Sequence, residues 1–165
     1  MDPVTPNNWR LRPATAEDIP GILALIHELA TYEREADAVE VTAEDLLRDG
    51  FGEHPLFHVL LAHVEGKLAG FALYFFNYST WHGRPGLYLE DLFVRPDYRG
   101  QGLGQGLMQA LAQIAVDRGC SRVSWQVLDW NSNAIAFYKQ LGAEIQREWL
   151  KVRVTGDALH ALARA

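Results

Sequence analysis

The sequence predicts a mixed α/β fold, with a central mixed twisted sheet of about six to seven strands and helices on both faces. Three observations carry that reading. Apolar residues recur at helical spacing in two long segments, 16–31 and 103–117. Between them lie three consecutive strand patterns, which imply an antiparallel meander. A later strand–helix–strand run implies a parallel pair. At 165 residues the chain fits one domain, spanning 1–165, with residues 1–8 expected to be flexible.

Each element has its own signal. Trp9-Arg10-Leu11-Arg12 alternates and reads as a short strand ended by Pro13. Thr15-Ala16-Glu17-Asp18 supplies a cap and first-turn acids that favour a helix N-terminus. Ile19, Ile22, Leu23, Ile26 and Leu29 then mark the buried stripe of a helix. Thr42 with Asp45 opens a shorter helix that stops near Gly50. Phe57 to Val64 and Leu68 to Phe76 read as strands joined in a hairpin through Glu65-Gly66-Lys67. Leu87 to Val94 is a further strand, followed by a helix with Leu107, Leu111 and Ile114 on one stripe and Gly119 as its stop. Arg122 to Leu128 is expected to be a strand, Asn133 to Leu141 a helix, and Glu148 to Val154 a last strand. A sheet of this kind places a ligand at strand ends around residues 94–104 and 128–138.

Composition narrows the function. The net charge of -6 and pI near 5.5 disfavour a nucleic-acid partner, which needs a basic face, and tolerate a cationic substrate. A single cysteine, Cys120, excludes an intrachain disulfide and a thiolate metal cluster, and a reducing compartment is the simplest setting. Cys120 itself reads as a small packing residue. Met1 to Asn8 lacks the apolar core of a signal peptide, and no apolar run approaches the roughly 18 residues of a spanning helix. The expectation is a cytoplasmic protein without membrane contact. The histidines, His58 and His63 among them, show no metal-ligand spacing, so no metal is expected.

Arg99-Gly100-Gln101-Gly102-Leu103-Gly104 lies between a strand and a helix. Glycines there let backbone N–H groups approach an anion, the helix N-terminus adds partial positive charge, and Arg99 can contact a phosphate. The segment lacks the Gly-Lys-Ser/Thr of a Walker loop, and its glycines do not satisfy Gly-x-Gly-x-x-Gly. A plain packing turn is the alternative.

The run Val94-Arg95-Pro96-Asp97-Tyr98-Arg99-Gly100-Gln101-Gly102-Leu103-Gly104 resembles the acetyl-CoA motif of GCN5-related N-acetyltransferases (GNAT), Arg/Gln-x-x-Gly-x-Gly/Ala. It is closer still to the diamine (spermidine/spermine) acetyltransferases and their thialysine-acetylating relatives. Arg12-Pro13-Ala14-Thr15, Asp49-Gly50-Phe51-Gly52-Glu53-His54-Pro55, Tyr88-Leu89-Glu90-Asp91, Asp129-Trp130-Asn131 and Phe137-Tyr138-Lys139 extend the resemblance over about residues 10 to 155. It implies the GNAT fold, with a splayed strand pair at the acetyl-CoA site, a homodimer, and direct acetyl transfer to a small primary amine.

The implied cofactor contacts are Leu92, Phe93 and Val94 on the splayed strand, Arg99 to Gly104 with Gln105, and Asn131, Ser132, Asn133, Ala134 and Tyr138. Main-chain N–H groups of Leu92 to Val94 would serve as donors to the developing oxyanion. Tyr138, at the family's tyrosine position, is implied as general acid to the leaving thiolate; a core tyrosine is the plainer alternative.

Glu90 and Asp91 interrupt an apolar strand. Neighbouring side chains alternate, so at most one faces any single pocket unless the strand is bulged. An ammonium must lose a proton before it attacks a thioester, and a carboxylate beside the cofactor can bind the cation and take that proton. The resemblance points to Glu90 for this role, with Asp91 as a second acidic contact; a structural pair of acids is the alternative.

Tyr32 and Glu33, a charge-rich helix end, match a substrate-contacting pair in the polyamine enzymes, although such a run is also an ordinary solvated face. Trp81, Ser124, Gln126 and Glu148 complete the implied substrate set. One departure is Ser79, where polyamine-specific enzymes carry an acid; Ser79-Thr80-Trp81 looks more like the thialysine branch. The substrate is therefore expected to be a diamine, a polyamine or a lysine-like amino acid. Acetylation of a protein or peptide amine, and a non-catalytic acyl-CoA-binding module, are the competing readings.

Overall fold

The structure is a computed structural model, and it describes residues 8–165. The expected flexible stretch 1–8 lies outside the described residues except for Asn8. The chain divides into two compact units, one ending at Leu128 and a smaller one over Asp129–Ala165.

The first unit holds a five-stranded sheet in the order β1 (Trp9–Pro13), β2 (His58–Val64), β3 (Lys67–Ser79), β4 (Arg84–Val94) and β5 (Val123–Ser124). The first three pairings are antiparallel and β4–β5 is parallel, as the meander and crossover require. Three helices belong to this unit: α1 (Ile19–Tyr32), α2 (Ala43–Gly50) and α3 (Leu103–Asp117). Ile22 and Leu25 of α1 are fully buried against Val59, Leu61, Phe71, Leu73 and Phe93 of the sheet. Leu25 joins that stripe, whereas Leu23 and Ile26 are only partly buried against it. Leu103, Leu107 and Leu111 form the fully buried stripe of α3.

Local chemistry sets the helix starts. Thr42 accepts from the Asp45 N–H at 3.1 Å, and the Asp45 carboxylate accepts from the Thr42 N–H at 3.0 Å, a reciprocal cap for α2. Asp18 does the same before α1, where its carboxylate also takes two hydrogen bonds from Arg12 at 2.8 and 2.7 Å. The Arg12 guanidinium holds the Asp18 carboxyl well below its usual range.

The second unit contains α4 (Ser132–Gln140) and α5 (Gly156–Arg164). Two expectations are corrected. The sheet has five strands among the described residues, not six or seven: residues 148–154 form none, and the strand expected over 122–128 is reduced to Val123–Ser124. Alternation supplies a strand with faces but not with a hydrogen-bonding neighbour, and Leu150 and Val152 stand 83% and 87% exposed. The helix α5 was not anticipated. Its signals are Asp157 in the first turn, Arg164 in the last, and Leu159 and Leu162 three apart.

Candidate active site

The loop between β4 and α3 is fastened at both ends. At its start the Arg95 N–H donates to the Ala69 carbonyl at 2.8 Å, and the guanidinium donates to the Leu68 carbonyl at 2.8 Å. The same guanidinium grips Glu28 of α1 through Nε at 3.0 Å and Nη2 at 2.9 Å. Further on, Trp9 Nε1–H donates to the Gln101 carbonyl at 3.1 Å. The Trp9 ring lies so close to α3 that a Cβ on Gly106 would sit 2.5 Å from its Cη2.

Gly100 and Gly102 take φ values of 80° and 85°, in the left-handed region that disfavours a side chain. A Cβ at either would meet nothing within 4 Å, so conformation and not crowding selects glycine there. Gly102 is the N-cap of α3, which leaves the first-turn N–H groups of Leu103, Gly104 and Gln105 without intrahelical acceptors. Outward N–H groups, a helix dipole and open space fit a pyrophosphate.

Strand β4 changes face at Glu90. Asp91 pairs with Leu73 and Leu89 with Tyr74, so Glu90 is the extra residue of a bulge. Directly opposed residues share a face. Asp91 and Phe93 therefore lie with Leu73 and Phe71 on the α1 face, while Leu89 lies with Tyr74 and its ring partner His58 on the other. The condition under which both acids can serve one pocket is met. Burial, with the nearby charges of Glu90 and Glu33, pushes the Asp91 carboxyl up to about 7. Burial also raises the carboxyl of Glu33, the residue that caps the C-terminal end of α1.

The splay has a concrete origin. β4 pairs with β5 only at Leu87–Val123 and Tyr88–Ser124, with the Leu87 N–H donating to the Arg122 carbonyl at 3.0 Å. From Leu89 to Val94, among the described residues, β4 has a strand neighbour on the β3 side alone. This exposes the main chain of Leu92, Phe93 and Val94 along one edge.

The first unit thus brings together Tyr32, Glu33, Glu90, Asp91, Phe93, Val94, Arg99 and the 100–105 loop. Ser124 sits on β5 beside Tyr88, and Gln126 follows that strand. Trp81 does not join them: it lies in the β3–β4 turn, 86% exposed, with β4 running on for roughly 23 Å between Arg84 and Asp91. Arg99 is placed unexpectedly, with Nε donating to the Val94 carbonyl at 2.9 Å and its guanidinium over the Tyr32 and Phe93 rings.

Asn131, Ser132, Asn133, Ala134, Tyr138 and Glu148 belong to the second unit. There Asn131 caps α4, its Oδ1 accepting from the Ala134 N–H at 3.2 Å. Tyr138 lies on α4 beside Phe137, with ring centres 5.4 Å apart. Sequence reasoning missed Trp9 as a loop clamp; the contact with Gln101 joins residues 92 apart and leaves no local signal.

Comparison with known proteins agrees with this geometry. The model of the Acetyltransferase (GNAT) family matches residues 22–143. The thialysine N-epsilon-acetyltransferase of Sus scrofa is 44% identical over 164 residues, covering 93% of this chain and 96% of that one. L-ornithine N5-acetyltransferase NATA1 of Arabidopsis thaliana is 34% identical over 198 residues, covering 93% and 87%. The solved structure of an integron cassette protein from the mobile metagenome of V. cholerae superposes with a TM-score of 0.81 at 30% identity, covering 96% of this chain and 99% of that one. The chain belongs to the acetyltransferase (GNAT) family. It is an acetyltransferase, and acetyl-CoA is its cosubstrate.

Proposed function

We propose that the protein transfers acetyl from acetyl-CoA directly to the primary amine of a small cationic substrate, a diamine, a polyamine or a lysine-like amino acid such as thialysine. The observation that carries this reading is Asp91: a largely buried carboxyl pushed up to about 7, next to Glu33 and Glu90, on the strand that leads into the anion-binding loop. Three clustered carboxylates suit an ammonium, and the aromatic face of Tyr32 suits its alkyl chain. A carboxyl balanced near neutrality can hold the cation while ionised and then accept its proton. On this reading Asp91 takes that proton, directly or through water, and Glu90, to which the family likeness points, holds the cation beside it.

When bound, acetyl-CoA supplies an activated thioester. Gly100 to Gln105 would hold its pyrophosphate, and the open edge of Leu92 to Val94 would align the acyl arm. Tyr138 Oη would give a proton to the departing sulfur, with Asn131 to Ala134 shaping the start of its helix. Gln126, Ser124 and Glu148 remain proposed substrate contacts.

The family match crosses the boundary at Leu128, which supports both units acting as one acetyltransferase domain. A homodimer is proposed as the working form; the exposed apolar run Trp149, Leu150, Val152 supports it, and sedimentation would test it. The acidic balance supports a reading without a nucleic-acid partner. The lone Cys120 supports a cytoplasmic setting, and among the described residues no helix is long and apolar enough to cross a membrane.

The test is thiol release from acetyl-CoA against putrescine, spermidine, spermine, lysine, thialysine and a short peptide. Release with a diamine or lysine analogue is expected, and Glu90→Gln, Asp91→Asn and Tyr138→Phe each lower it while coenzyme A binding persists. Release with the peptide alone would overturn the small-amine reading, and binding without release across the panel would leave an acyl-CoA-binding module.

A further inference from the structure

Arg99 joins three groups on two elements. Its guanidinium carbon lies 4.9 Å from the centre of the Tyr32 ring and 5.6 Å from that of Phe93. Its Nε donates to the Val94 carbonyl at 2.9 Å. The two rings are themselves 6.5 Å apart and tilted by 50°, so the cation spans the last residue of α1 and the end of β4. We infer that Arg99 is a positioning residue for the amine side of the site, a strut that fastens the Tyr32–Glu33 end of α1 to the splayed strand, and not a ligand of the pyrophosphate.

This inference rests on the small-amine acetyltransferase reading. Three features support it. The loop carries its own anion site in the first-turn N–H groups of α3, so the phosphate does not require this cation. A planar guanidinium can lie over rings while one edge donates in its plane, which an ammonium cannot reproduce. Glu33 follows Tyr32 directly and acts on Asp91, so a shift of the α1 end moves a charge that tunes the buried carboxyl. After Glu33 the chain reverses sharply, with Arg34 at φ 64° and the Glu35 N–H bonded to the Ala30 carbonyl at 2.8 Å. Side-chain contacts of Tyr32 therefore help decide where that end rests.

The experiment compares the wild-type protein with Arg99→Gln, Arg99→Lys and Tyr32→Leu. Calorimetry measures coenzyme A binding, and then putrescine and thialysine binding to protein saturated with coenzyme A, where no turnover occurs. Steady-state rates follow with acetyl-CoA and with S-acetylpantetheine, a donor that lacks the pyrophosphate. For Arg99→Gln the amine Kd and KM are expected to rise about tenfold. Coenzyme A affinity and kcat are expected to stay within about twofold, and the KM penalty to be equal with both donors. Arg99→Lys keeps the charge but is expected to retain a several-fold amine penalty, about half of the logarithmic loss. The double variant with Tyr32→Leu is expected to lose no more than Tyr32→Leu alone.

An unchanged amine Kd in Arg99→Gln overturns the inference. So does a loss of coenzyme A affinity that Arg99→Lys restores, or a penalty that vanishes with S-acetylpantetheine. Failure of the wild-type protein to bind or acetylate any amine would instead sink the proposed function, and the coenzyme A arm would still decide whether Arg99 serves the phosphate.

Discussion

The indole N–H of Trp9 donates to the main-chain carbonyl of Gln101, 92 residues away, and so ties the first strand of the sheet to the turn that precedes α3. The ring of the same residue fills the space that a side chain on Gly106 would need. One aromatic residue thereby sets both the height of the loop and the approach of the helix that continues it.

Trp9→Phe removes the hydrogen bond and also the far edge of the indole that packs beside Gly106. Coenzyme A affinity is expected to fall about three- to tenfold, the equivalent of about 0.5–1.5 kcal/mol, and the melting temperature to drop as the packing beside Gly106 is lost. Gly106→Ala drives a methyl group into the ring and is expected to cost about 1–3 kcal/mol of stability by overpacking. Titration calorimetry and thermal melts separate the two effects.

Gly102→Ala acts through conformation alone, because its surroundings are open. Holding a non-glycine residue in the left-handed region costs about 1–2 kcal/mol. If the loop resists, stability falls by that amount; if it yields, coenzyme A binding weakens about tenfold as the first-turn N–H groups turn away. Measuring both quantities on Gly100→Ala and Gly102→Ala distinguishes a rigid cradle from an adaptable one.

The proposed proton acceptor predicts a pH profile. With Asp91 near 7, its ionised form is scarce in acid, so kcat/KM for the amine is expected to climb about tenfold per pH unit below neutrality. The rise levels off above about pH 7 as that carboxyl becomes fully ionised. Asp91→Asn removes the limb and lowers turnover by about two to four orders of magnitude. A Glu90→Gln variant that keeps the limb, shifted towards acid by the lost neighbouring charge, would identify Asp91 as the group that titrates.

The same carboxyl affects folding. Its folded pKa lies above the unfolded value, so its contribution to stability is fully present below about pH 4 and is lost as pH rises through about 7. Asp91→Asn is therefore expected to be more stable than the wild-type protein at pH 8 and to show no such advantage at pH 4. Denaturant titrations at the two pH values check the sign.

Much of this architecture is legible in the order of residues. The helical stripes, the three-strand meander and the glycine loop each depend on neighbours a few positions apart, and they appear where spacing places them. Three features escape. Leu87, Leu89, Asp91 and Phe93 alternate without interruption, so the bulge at Glu90 is visible only against the partners that β3 supplies. Residues 148–154 alternate equally well and yet form no strand, since alternation does not provide a neighbour to bond. The clamp of Trp9 and the strut of Arg99 join elements distant along the chain, and no local pattern encodes them. The roles of Tyr138 and Asn131 to Ala134 come from family likeness and not from periodicity.

The displaced register at Glu90 also shapes which genetic changes the strand can absorb. Leu87 and Leu89 before it face one layer and Asp91 and Phe93 after it face the other, because the extra residue goes unpaired. A single-codon deletion there would leave Leu89 opposite Tyr74 and Asp91 opposite Leu73 and would remove only the bulge. A deletion in the regular stretch at Leu92 would instead bring Phe93 opposite Ala72 and carry it to the other side. Losing Glu90 therefore removes one acid and one kink, whereas losing Leu92 would turn Phe93 away from α1.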